Sequence, residues 1–169
     1  MFETFTQLEG SKHSQARTTA LLAIQDNLMP LSWHMPISKS PFRYAIAIRD
    51  ENYSFELLKQ HQSFALNFLP FGYEEEIDKL GRVHGDSVNK LQMSRLAYRR
   101  DAHENALLEA SDFIYECTLI DTYTNGDHTL FIADVTHIHS NKNAKNAPVF
   151  FMGRGRYATM QTPVQVPHS

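Results

Sequence analysis

The chain has 169 residues, 16 of them basic and 19 acidic, for a formal charge of −3. That length suits a single domain, spanning 1–169, that buries its own core without disulfide or metal staples. The acidic balance, with no basic run longer than Arg99-Arg100, argues against a nucleic-acid or anionic-membrane surface, and Cys117, the only cysteine, excludes an internal disulfide, a cysteine-ligated iron–sulfur cluster and a CxxC pair. Any redox chemistry must therefore come from a bound cofactor.

Residues 1–20 read as a polar N-terminal arm without the apolar stretch of a signal peptide. No apolar run approaches the roughly 18 to 20 residues needed to cross a bilayer, so a soluble, cytoplasmic protein is expected. The first predicted strand, Asn27–Trp33, carries Met29, Pro30, Leu31 and Ser32. Proline removes a ladder donor and points to an edge or a bulge, and the freed backbone groups need partners. A planar heteroaromatic ligand with donors and acceptors round its rim could supply them; an edge strand with Trp33 in the core fits the same residues.

Strands follow over Tyr44–Arg49 and Phe64–Leu69. Between them Ser54 reads as a helix N-cap with Glu56 in the first turn, and amides at such a terminus suit an anion as well as an ordinary cap. Glu74–Leu80 and Ser87–Met93 read as short surface helices, the latter preceded by a glycine-bearing loop, Gly81–Lys90, whose Lys90 could reach an anion.

The long strands Phe113–Thr124 and His128–His139 flank Asn125-Gly126, a strong hairpin signal. With those two residues as the loop, Thr124 faces Asp127 and Tyr123 faces His128. An ionisable ring then sits beside an aromatic at a sheet rim, although a solvated hairpin tip reads the same way. Leu119 and Ile132 are expected on one face, Ile120 and Phe131 on the other, so both faces call for cover, one of them by helices or a second subunit. A homodimer is the expectation.

His137 and His139 share a face, but the sequence offers no third ligand, and solvated strand histidines explain them without a metal. A mobile polar loop over 141–146, a last strand around Val149–Met152 or Tyr157, and a frayed tail, 162–169, complete the chain. Six strands with few short helices give a mainly β protein, an antiparallel barrel or sandwich.

Taken in order, these segments resemble the flavin reductase-like family, which includes flavoredoxins and flavin-dependent ferric reductases. Asn27–Ser38 (NLMPLSWHMPIS) resembles its Asn-x-Met-Thr-x-Ser-Trp segment, and Asn52–Pro70 its Arg-Tyr-Thr-x-Glu-Leu helix start with the strand ending Asn-x-Pro. Gly81–Leu91 (GRVHGDSVNKL) resembles its phosphate loop, Gly126–Val135 (GDHTLFIADV) its Gly-Asp-His-Thr-Leu-Phe-Ile-Gly-Glu-Val strand, and Gly153–Met160 its closing Gly-x-x-Tyr. The resemblance implies a six-stranded antiparallel Greek-key FMN-binding split barrel.

Carried over by position, it implies that Met29, Leu31, Ser32 and Trp33 contact the flavin ring and ribityl chain, with Asn27 and Pro30 in the same segment. Tyr53, Ser54, Gly85 and Lys90 would hold the phosphate, beside Asn52 and His84; Asn67 would lie near the ring and His128 near the flavin and nicotinamide faces as the catalytic residue. Pro30 replaces the family's threonine, Asn52 its arginine, and His84 and Asp86 the serine and arginine of its phosphate loop. Two lost guanidinium donors and an added carboxylate weaken the pull on a dianion. Arg49, Arg82 and a protonated His84 are the cations at hand to compensate.

The resemblance implies FMN or FAD as cofactor, NADH or NADPH as co-substrate, and an oxygenase or reductase as possible partner. An NAD(P)H-dependent flavin reductase leads; a flavoredoxin-like electron carrier and a non-enzymatic small-ligand barrel are the alternatives.

Overall fold

The computed structural model describes residues 16–145, 147–153 and 155–160. Its elements in chain order are β1 (Arg17–Thr18), β2 (Ala20–Ile24), β3 (Asn27–Leu31), β4 (His34–Lys39), β5 (Phe42–Arg49), α1 (Tyr53–His61), β6 (Ser63–Phe68), α2 (Glu74–Gly81), α3 (Lys90–Ser94), β7 (Tyr98–Arg100), β8 (Ala106–Leu108), β9 (Phe113–Asn125), β10 (His128–Ser140), β11 (Phe150–Phe151) and β12 (Tyr157–Ala158). The expected frayed tail and most of the N-terminal arm lie outside the described residues. The arm's described end is ordered: β1 pairs with β11, and Ala20 already belongs to β2.

Seven strands form one sheet in the order β3-β2-β6-β9-β10-β5-β4, every pair antiparallel. Its two edge strands, β3 and β4, are consecutive in the chain and joined only by Ser32 and Trp33. A flat sheet would hold those edges roughly 29 Å apart at about 4.8 Å per strand, whereas two linking residues reach about 10 Å. The sheet therefore curls until its edges meet, a split barrel whose seam is Ser32-Trp33.

Strand β2 (ALLAI) was not foreseen, because an unbroken apolar run carries no period-2 signal. It is buried on both sides. Leu22 and Ile24 join Ile46, Phe64, Leu66 and Phe131 in the barrel core, while Leu21 and Ala23 join Leu28, Ile77, Leu80 and Leu107 in a second core beneath α2 and β8. Strand β4 escaped for the opposite reason: Pro36 interrupts it and Met35 and Ile37 are exposed, as an edge permits.

The other differences are local. Helix α1 starts after Asn52, and Ser54 lies within its first turn, buried, accepting a hydrogen bond from Asn27 Nδ2 at 2.8 Å rather than capping. Helix α3 is shorter than expected because Asn89 caps it, its Oδ1 accepting from Gln92 N at 2.9 Å.

A bulge at Ile120 pairs Asp121 with Ile132 but Leu119 with Ala133, so Leu119 and Phe131 both pack on the barrel core, contrary to the expected alternation. On the outer face of the hairpin Ile120, Tyr123 and Ile138 stay exposed. The polar loop is tied down: Asn141 N donates to Asp112 O and Lys145 N to Asp112 Oδ1, at 2.8 and 2.9 Å. Among the described residues no helix is long and apolar enough to cross a membrane.

Candidate functional site

The seam exposes Trp33, and the β9–β10 hairpin brings His128 onto it. The rings stack with centroids 4.5 Å apart and planes 18° from parallel. His128 Nδ1 lies 2.7 Å from Asp127 Oδ1, a hydrogen bond that holds the Asp127 carboxyl below the usual carboxylate range. Arg49, paired with Glu51 at 2.9 Å, stands 3.8 Å from the same carboxylate.

The hairpin register differs by one residue from expectation. Gly126 and Asp127 form the loop, Asn125 pairs with His128, and Tyr123 faces Leu130. Gly126 alone takes a positive φ, +66°, as a type II′ turn requires, whereas Asn125 remains in the strand. The aromatic companion of His128 is thus Trp33, from the seam, and not Tyr123.

Three cavities open along β3 and its continuation into β4. At the Trp33 end, one of about 490 Å³ is lined by Arg17, Ser32, Trp33, His34, Leu130 and Phe150 among others. The next, about 260 Å³, takes Pro30, Leu31 and Ser32 as one wall and Arg82, Phe151 and Tyr157 as the other. Here Asp78 organises the opposing wall: Arg82 Nε donates to Asp78 Oδ2 at 2.7 Å and Tyr157 OH to Asp78 Oδ1 at 3.3 Å. Burial, with Asp78 nearby, pushes the Tyr157 phenol up to about 12. Thr19 Oγ1 is buried beside this cavity without a partner.

The third cavity, about 370 Å³, lies at the other end of β3 and gathers Asn27, Tyr53 and Gly85. A Cβ on Gly85 would fall 2.1 Å from Asn27 Oδ1 and 3.0 Å from Tyr53 Cδ1, so only glycine lets the loop lie this close. Asp26 and Asp86 also line it. The Arg100 guanidinium, hydrogen-bonded to Asp26, holds that carboxyl below the usual range.

Several expected site residues stand elsewhere. Lys90 is turned inward: its Nζ is buried and donates to Leu80 O at 2.9 Å, and desolvation lowers its pKa. Its ammonium does not face the loop. Asn67 is fully buried, with Nδ2 donating to Leu21 O at 3.4 Å and Ala106 O at 3.0 Å and Oδ1 accepting from Leu108 N at 2.8 Å. It braces three strands rather than lining a cavity. Met29 packs half-buried on the barrel core, Asn52 is the uncapping N-cap of α1, and His84 is exposed on the loop.

A flavin ring fits the middle cavity: Pro30, Leu31, Phe151 and Tyr157 offer flat apolar walls, and the Ser32 hydroxyl and orphan Thr19 Oγ1 offer polar contacts for a heteroaromatic rim. Of the expected phosphate set, Tyr53 and Gly85 line the third cavity and Ser54 is bonded to Asn27 beside it, whereas Lys90 turns away and the carboxylates of Asp26 and Asp86 line the same cavity. In the groove Arg82 is the available guanidinium, shared with Asp78.

Sequence reading missed His34. Its Nε2 lies 2.9 Å from Thr18 O and its Nδ1 2.8 Å from Tyr44 OH. A carbonyl only accepts, so Nε2 carries the proton and Tyr44 OH donates to Nδ1. Burial is the larger influence on this ring and lowers its pKa below the ordinary 6.5, against the Thr18 hydrogen bond. The unfolded chain therefore takes up this proton first. The contribution of His34 to stability is complete above about pH 6.5 and is lost as the pH falls towards the folded value. Thermal melts should show a smaller loss between about pH 7 and pH 5 in His34→Gln than in the parent; equal losses would remove His34 from the account.

His137 and His139 are also not simply solvated. Glu116 lies between them, Oε1 2.5 Å from His139 Nε2 and Oε2 3.4 Å from His137 Nδ1. Among the described residues no group of three or more His, Cys, Asp or Glu is placed to hold a metal ion.

The flavin reductase like domain matches residues 16–160, and the chain belongs to that family. An FMN-binding protein from Thermus thermophilus, solved with bound 1-cyclohex-2-enone, superposes with a TM-score of 0.87 at 22% identity over 99% of both chains. Flavoredoxin from Methanosarcina acetivorans gives 0.83 at 16% identity, covering 97% of this chain and 95% of its own. An NADH:FAD oxidoreductase of Streptomyces globisporus gives 0.76 at 17%, covering 92% and 86%. At these identities the likeness is one of fold. An uncharacterized protein of Archaeoglobus fulgidus is 25% identical over 113 residues, 66% of this chain, and the match spans only 64% of that relative's length.

Proposed function

We propose that the chain is an FMN-binding oxidoreductase, an NAD(P)H-dependent flavin reductase that passes electrons to free flavin or another small acceptor in the cytoplasm. The observation that carries this reading is the His128–Trp33 stack, which adjoins at Ser32 the groove of Pro30 and Leu31. A bound flavin supplies the hydride and electron chemistry. Pro30, Leu31 and Ser32 hold the ring, with Tyr157 opposite. Trp33 fixes the plane of the His128 imidazole, and Asp127 engages its Nδ1, leaving Nε2 to hold or move a proton or to orient a nicotinamide amide. Arg82 is the cation for an anionic tail; either FMN or FAD meets this description.

The homodimer belongs to the same proposal, since Met35 and Ile37 on the β4 edge and Ile120 and Tyr123 on the hairpin leave apolar side chains uncovered. A partner oxygenase or reductase would then meet the flavin at an open face. The inward Lys90 and the carboxylates at Gly85 favour a second reading, a small-ligand barrel without flavin chemistry.

One experiment tests these together. Sedimentation velocity of the chain with FMN, followed at flavin absorbance, should show flavin migrating with a dimer at one per subunit. Flavin left at the meniscus transfers the case to the second reading, and a monomer at micromolar concentration removes the dimer. If flavin is bound but neither nicotinamide reduces it anaerobically, the chain is a flavoredoxin-like carrier.

A further inference from the structure

Arg17 differs from the ion-paired arginines of the described residues. Arg43, Arg49, Arg82 and Arg100 each face a carboxylate. The Arg17 side chain forms no ion pair or hydrogen bond with any described residue, and its Nε is buried without a partner. Its guanidinium stands 5.9 Å from the centre of the Trp33 ring, on the wall of the 490 Å³ cavity. A buried guanidinium N–H with no acceptor has given up water without gaining a partner.

The rest of the cavity narrows what the anion belongs to. Its walls are flat or apolar: Trp33, Ala45, Ala47, Leu130 and Phe150. Both ring nitrogens of His34 are committed to Tyr44 and Thr18, so Arg17 is the charged donor left for a ligand, with Ser32 beside it. One fork-shaped cation above an aromatic floor matches a planar molecule with a carboxylate at one end.

We propose that this cavity is a subsite for a second ligand, an aromatic carboxylate that docks its anion on Arg17 and its ring against Trp33. Because Ser32 lines both this cavity and the flavin groove, the ligand would meet the flavin edge. In that respect the proposal rests on the reading above; its binding does not.

Equilibrium dialysis of the full chain against benzoate and its neutral isostere benzamide, with and without FMN, tests it. The expected result is saturable benzoate binding in both forms, benzamide at least about tenfold weaker, and a similar loss in Arg17→Gln that Arg17→Lys partly restores. Equal affinities for the two probes, unchanged binding in Arg17→Gln, or no benzoate binding overturns the proposal. Displacement of benzoate by FMN but not by riboflavin would assign Arg17 to the flavin phosphate and overturn it too, as would dissociation of the Arg17→Gln dimer, which would make Arg17 a subunit contact. The benzoate–benzamide contrast needs no variant, and in the flavin-free chain it stands whether or not FMN binds.

Discussion

Replacing Asn67 by Ala should lower the unfolding free energy by about 3 kcal/mol, with the denaturant m-value unchanged. The side chain is fully buried on β6 and reaches the carbonyls of Leu21 on β2 and Ala106 on β8 and the amide of Leu108. Truncation leaves one backbone donor without its acceptor and takes the side-chain donor from two carbonyls, all at a fully buried position. Each unsatisfied buried group costs roughly 1 to 3 kcal/mol, and the three are not additive because they share one side chain. Urea unfolding measures the loss; a change under about 1 kcal/mol would mean that the brace is dispensable. FMN affinity under native conditions should hold, which separates a brace from the ring contact that the family resemblance implies for this position.

The largest functional loss is expected from His128→Ala, a fall of about a hundredfold in the rate of flavin reduction by NAD(P)H with flavin affinity little changed. The imidazole lies against Trp33 and is anchored by Asp127, a placement that positions a proton-bearing group without making it part of the flavin groove wall. Asp127→Asn should cost less, since it keeps a hydrogen-bond acceptor for Nδ1. Anaerobic stopped-flow at the flavin absorbance reads the rate directly. Unchanged reduction in His128→Ala would end its catalytic assignment, and a parallel loss of flavin would make it a binding residue.

Most of the barrel is legible in the sequence because its longer strands carry aromatic and β-branched residues between turn signals. Strand β5, β6 and the long hairpin appear within two residues of their expected bounds. What escapes is non-local. The all-apolar β2 shows no period, and the stack of His128 on Trp33 joins residues 95 positions apart through the curl of the sheet. The family resemblance points to the segment at the seam, yet position alone cannot say which way a side chain faces. Lys90 and Asn67 illustrate this: both occupy motif positions, and both turn to backbone carbonyls inside the protein. Arg17 and His34 gave no signal at all, because β1 is two residues long and the partners of His34 come from β1 and β5.

The Ser32-Trp33 seam works like the clasp of a bracelet. Seven strands hang in sequence from one side of it to the other, so a molecule gripping β3 and the start of β4 together fastens the whole ring and not one hairpin. Ligand occupancy at the clasp therefore adds to the stability of every strand pair at once, by about 2.7 kcal/mol at a hundredfold excess over the dissociation constant. A strand weakened behind the seam, as β6 by loss of Asn67, would be largely repaired by the ligand, without any contact between ligand and lesion.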